Sequence, residues 1–116
     1  MIRSYIERLT DAREYALAAI SAVHEAGFDE VWRLRERRQS LLLDIVLIGE
    51  ALAKISAEVK VTAPSLPWTE INGTRNRLIH VYWLHERDFI SGLIANDLPL
   101  LVEHLDRLIG VLEDQP

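Results

Sequence analysis

Apolar residues recur at steps of three and four along almost the whole chain. Ile2, Tyr5, Leu9, Ala12, Ala16, Ala19 and Val23 form the first such stripe and predict a long amphipathic helix. Gly27 is a natural stop just past its end, and Phe28 to Trp32 reads as a short connection or a single turn. A second long helix is predicted from Arg33–Arg35 to about Val59. Between Leu41 and Ile55 it is apolar on nearly all sides, so it is expected to be the most buried. Gly49 inside it costs about 1 kcal/mol relative to alanine, which close approach of another helix would offset. Val61 to Pro67 reads as a loop, with Pro64 and Pro67 ending one helix and setting up the next. Trp68 and Ile71 are expected to pack inward, Gly73 to interrupt the chain, and a helix to carry Thr74 to about Trp83. Asp88 is the expected N-cap of a segment from Phe89 to Ala95, and Asp97 with Pro99 is a further start signal. Leu98, Leu101, Leu105, Leu108 and Leu112 complete a last stripe ending near Glu113. No segment alternates with period two and no hairpin turn pair is present. The expected fold is all-α, an up-and-down bundle of four to five helices formed by residues 1–116 as one domain.

Composition narrows this little. The chain has 116 residues, 49% of them apolar, which suffices for a core. It lacks cysteine, so disulfides and thiolate metal sites are excluded. Charges interrupt every apolar run near Met1, and the most apolar window, Leu41–Leu52, contains Asp44 and Glu50. The expectation is a cytoplasmic protein without a membrane segment. A net charge of −5 argues against a generic nucleic-acid coat, but the positive charge is clustered. Arg33, Arg35, Arg37 and Arg38 form one group, Arg75 and Arg77 another, and only Lys54 and Lys60 are lysines. The first group reads either as a solvated helix face or as a phosphate track.

The chemistry concentrates in Arg75-Asn76-Arg77-Leu78-Ile79-His80-Val81-Tyr82. Arginine grips phosphate with a planar fork, and histidine is the side-chain type that titrates nearest neutrality. A phosphate clamp and a proton carrier are the minimum for cleaving RNA without a metal. On a helix Asn76 and His80 are neighbours, Arg75 and Tyr82 share another face, and Arg75 and His80 diverge by about 140°. Either the helix start is irregular or a second chain completes the pocket.

The arrangement Arg-x4-His-x-Tyr at Arg75, His80 and Tyr82 resembles the signature of the HEPN ribonucleases, specifically the HepT-like toxins of HepT/MntA toxin–antitoxin pairs. Ile48-Gly49-Glu50-Ala51, Pro64-Ser65-Leu66-Pro67-Trp68, Ile71-Asn72-Gly73 and Asp97-Leu98-Pro99 are similar to that family's pattern in order and spacing. The resemblance implies a symmetric homodimer whose motifs face each other across a cleft. It implies a metal-independent endoribonuclease with no cofactor, in which His80 takes the ribose 2′-OH proton and Arg75 offsets charge on the phosphoryl oxygens. Asn76 and Arg77 would support the site or bind RNA, tRNA being one candidate. It further implies an MntA-like nucleotidyltransferase antitoxin that adds AMP to Tyr82, alone or within a larger complex. The segment Trp83-Leu84-His85-Glu86-Arg87-Asp88 departs from the family's usual Val-Asp ending, which bears on the pocket rim and the fit to the antitoxin.

Structural readings stand beside each of these. His80 could be a packed histidine bonded to a carbonyl, Arg75 a surface ion pair, Asn76 a helix-start cap and Tyr82 a bundle aromatic or a base-stacking ring. Arg77 could pair with a carboxylate such as Glu70 or Glu50. Asp44 and Glu50 either find partners such as Arg75 or Arg77, or lie exposed at a seam. His24, His85 and His104 are assigned no role. The competing functional class is a non-catalytic helical module that binds a nucleotide or a nucleotidyltransferase.

Overall fold

Gly27 ends the first helix with a φ of 83°, a left-handed conformation open to glycine at little cost. The helix it closes, α1 (Ile2–Ala26), buries Leu9, Ala12, Ala16 and Ala19, the predicted stripe. The computed structural model describes residues 2–84 and 86–115, and the side chains of residues 3 and 81–84 lie outside that description.

The residues expected to form a connection are the short helix α2 (Phe28–Arg33), followed by α3 (Arg35–Ala53). The second long helix therefore stops before Val59. The chain breaks at Lys54–Ile55 and restarts as α4 (Ala57–Thr62), because the Ser56 hydroxyl accepts from the Val59 N–H at 3.3 Å as an N-cap. α5 (Trp68–Leu84) begins six residues earlier than expected and runs through Gly73. Trp68 anchors its first turn by donating from Nε1 to the Ala63 carbonyl at 2.9 Å, with Ile71 buried beside it.

Arg87 to Glu113 form one helical run in three parts: α6 (Arg87–Gly92), a π-helical stretch (Leu93–Asp97) and α7 (Leu98–Glu113). Asp88 is not its N-cap, since the helix starts one residue earlier and Glu86 holds that position without a side-chain bond. α7 does begin directly after Asp97 with Pro99 in its first turn, but without a break, since the Asp97 backbone stays helical at φ −76° and ψ −45° and its side chain makes no cap. Pro99 accounts for the wider turn. It has no N–H to donate and its ring crowds the carbonyl four residues back, so the helix expands just before it.

α1, α3, α5 and the run from Arg87 are the rods of an all-α bundle, and no strand occurs among the described residues. α1 packs on α3 and α7, while α5 lies at the edge against α3. Leu41, Ile45, Ile48 and Leu52 of α3 meet Leu78 of α5 and the leucine stripe of α7 in one buried cluster. A Cβ on Gly49 would sit 3.5 Å from the Leu78 Cβ, so this glycine does mark where two helices approach closely. α3 is not the most enclosed helix. Each helix exposes one leucine, Leu43 and Leu100, but α7 buries Leu98, Leu101, His104, Leu105, Leu108 and Leu112 where the longer α3 buries Leu41, Ile45, Ile48, Gly49 and Leu52.

Candidate functional site

α5 carries the whole Arg75–Tyr82 segment on one uninterrupted helix. Its inward face is set by Ile71, Thr74 and Leu78, all buried. Each residue adds about 100°, so His80, two beyond Leu78, points away from the core, and both His80 and Asn76 are exposed. His80 is thus not a packed histidine. Arg75 lies on the flank of the inward face and is half-buried. Its Nη2 donates to Asn76 Oδ1 at 3.0 Å, while its Nε is buried without a partner among the described residues. Asn76 stands mid-helix and caps nothing. The side chain of Tyr82, seven residues on from Arg75, lies outside the described residues, as does His85.

The regularity of α5 removes the irregular helix start as a way to unite Arg75 with His80. The two are separated by about 7.5 Å of rise and about 140° of rotation, and within one copy they face different directions.

Arg77 pairs with a carboxylate, as one expectation had it, but the partner is Asp97 rather than Glu70 or Glu50. Its Nε ion-pairs with Asp97 of the π stretch and its Nη2 donates to Thr74 Oγ1 at 3.3 Å. The Arg77 guanidinium passes close to Gly73, where a Cβ would stand 3.4 Å from Nη1, about van der Waals contact. Glu70 lies about 10.5 Å along the helix from Arg77 and instead approaches Nε2 of buried His104 at 3.6 Å. Glu50 is exposed, five residues from fully buried Ile45 and so on another face of α3. Asp97, expected as a helix start signal, also serves as the carboxylate partner of Arg77.

Asp44 is half-buried away from α5, in a groove of about 520 Å3 that it lines with Glu25, Arg37 and Ser40. Burial pushes its carboxyl above the usual range. The first arginine cluster is divided. Arg33 pairs with Glu30 at 2.7 Å and holds that carboxyl below its usual range. Arg38 donates to the Trp32 carbonyl at 2.9 Å and lies over its ring, while Arg35 and Arg37 are exposed. Among the described residues no group of three or more histidine, aspartate or glutamate side chains is placed to hold a metal ion. No helix among them is long and apolar enough to cross a membrane.

The profile of the ribonuclease HepT-like family matches residues 2–108, nearly the whole chain. The chain belongs to the HepT-like ribonuclease family. A Thermococcus cleftensis protein named as a probable ribonuclease HepT is 25% identical over 108 residues, covering 93% of this chain and 98% of its own. Two Methanocaldococcus jannaschii proteins provisionally named as RNases are similar as well. One is 26% identical over 98 residues, 84% of this chain and 90% of its own. The other is 22% identical over 107 residues, 92% and 88%. No solved structure matches. Membership in this HepT-like family points to RNA as the substrate.

Proposed function

We propose that residues 1–116 form a single-domain, cytoplasmic, metal-independent endoribonuclease that works as a symmetric dimer. Its role is that of a toxin held in check by a nucleotidyltransferase antitoxin. The observation that carries this reading is the divergence of Arg75 and His80 on a straight helix. A second copy related by a two-fold axis supplies the missing group to each. The exposed apolar residues Leu43, at 57%, and Ile79, at 43%, on the packed pair α3 and α5 are in keeping with such a face.

In the cleft, His80 takes the proton of a ribose 2′-OH. The 2′-oxygen forms a bond to the adjacent phosphorus as the bond to the 5′-oxygen breaks, and that oxygen takes up a proton as it leaves. Arg75 offsets the charge on the phosphoryl oxygens, and Asn76 orients the Arg75 fork through the bond it already accepts. The product end is a 2′,3′-cyclic phosphate, opened by water to the monoester. The antitoxin adds AMP to Tyr82, which brings bulk and negative charge to the face shared with Arg75. Arg77 acts in support, holding α5 in register.

The test is cleavage of total RNA and of tRNA in EDTA by the wild-type chain and by His80→Ala, with analysis of product ends. Cyclic phosphate ends from wild type alone are expected. No cleavage by unmodified wild type, or equal cleavage by His80→Ala, contradicts the proposal.

A further inference from the structure

A groove of about 260 Å3 runs between α5 and the α6–π run. Arg77, Asp88, Phe89, Gly92, Asn96 and Asp97 line it. Arg77, which lines the groove, is three residues from His80 and so its surface neighbour on the helix, while His80 itself does not line the groove. Its volume falls just below the roughly 300–1,000 Å3 of sites for drug-sized ligands, a size for one flat ring rather than a whole nucleotide. Phe89, packed against the core, is the aromatic residue of the lining. The polar lining offers the carboxylates of Asp88 and Asp97 and the Asn96 amide oxygen as acceptors, with the Asn96 amide nitrogen and the Arg77 guanidinium as donors, and Asp88 already accepts from Arg87 Nη1 at 3.0 Å. Arg77 holds the Asp97 carboxylate in place. The π stretch contributes two of these groups, and π turns recur at functional sites.

We propose that this groove is a base-recognition subsite, receiving the base of a nucleotide bound beside His80. It favours bases with an exocyclic amino group and disfavours uracil, whose edge is dominated by carbonyl acceptors. The proposal deepens the ribonuclease reading and rests on it for the identity of the ligand as RNA.

Gly92 provides the test, because a Cβ there meets nothing within 4 Å and its φ of −63° suits any residue. Gly92→Leu should fold as well as wild type and fill the groove. Binding of the four nucleoside 3′-monophosphates is measured by titration calorimetry alongside Tm and the RNA cleavage pattern. Uridine 3′-monophosphate is expected to bind weakest in wild type. Gly92→Leu is expected to weaken the other three about tenfold at unchanged Tm, and Asp88→Asn to narrow the gap to uridine. Should Gly92→Leu fail to fold, Asn96→Ala on the exposed rim replaces it. Unchanged base binding in a folded groove variant overturns the subsite, even if the wild type cleaves RNA. Loss of base binding in Gly92→Leu while the wild type cleaves nothing upholds the subsite and removes the ribonuclease reading instead.

Discussion

Arg77 on the motif helix is ion-paired with Asp97 on the π stretch, so the cation nearest His80 along the helix is turned toward the protein's own frame. This bond separates the two motif arginines. Arg75 holds only its exposed neighbour Asn76 through a described hydrogen bond, whereas Arg77 ties α5 to the C-terminal run.

Arg77→Ala and Asp97→Ala are each expected to destabilise the fold by about 1 kcal/mol, given that the pair is partly exposed. At this chain length that lowers Tm by roughly 4 °C. A double-mutant cycle read by thermal unfolding should give a coupling of about 0.5–1 kcal/mol. Arg75→Ala should leave Tm nearly unchanged while abolishing RNA cleavage. A coupling indistinguishable from zero would show that the pair does not fasten α5.

Asp44 makes stability depend on pH. Its folded pKa lies above the ordinary aspartate value of 3.8 because burial disfavours the carboxylate. Above 3.8 the unfolded chain ionises first and is favoured, so stability is lost as pH rises toward the folded value and stays lower beyond it. Asp44→Asn is therefore expected to raise Tm at pH 7 and to raise it less near pH 3. Parallel melts at the two pH values check this, and an equal change at both would rule out ionisation as the cause.

Tyr82→Phe should leave RNA cleavage intact while removing the acceptor for AMP. Co-expression with the cognate nucleotidyltransferase should silence the wild type and fail to silence the variant. Mass spectrometry of the purified chain should find AMP on wild type alone. AMP on Tyr82→Phe would place the modification elsewhere.

Much of this molecule was legible in its sequence. The stripes of α1 and α7 were visible because each buries one face only, so period 3.6 survives in the pattern. Gly49 declared a close helix contact, and Leu78 supplies it. The Ser56 cap and the passage of α5 through Gly73 were not anticipated. Ser56 interrupts an apolar run that periodicity alone extends, and an interior glycine costs a helix only about 1 kcal/mol, which the packing of Ile71, Thr74 and Leu78 on either side of Gly73 outweighs. The α6–π–α7 run was read as two helices because Asp97 and Pro99 are ordinary start signals, and a π turn that absorbs a proline leaves no periodic mark. Arg77 found its carboxylate twenty residues away in sequence, a pairing that only the packing of two rods decides. The divergence of Arg75 and His80 was legible, since it follows from helix geometry alone.

That divergence is most directly tested by mixing Arg75→Ala with His80→Ala under conditions that exchange subunits. Each homodimer should be inactive. If the site forms between copies, a mixed dimer joins the intact Arg75 of one chain to the intact His80 of the other. An equal mixture should then recover roughly a quarter of wild-type cleavage. A mixture that forms mixed dimers yet cleaves no more RNA than either parent would contradict a site shared between two copies.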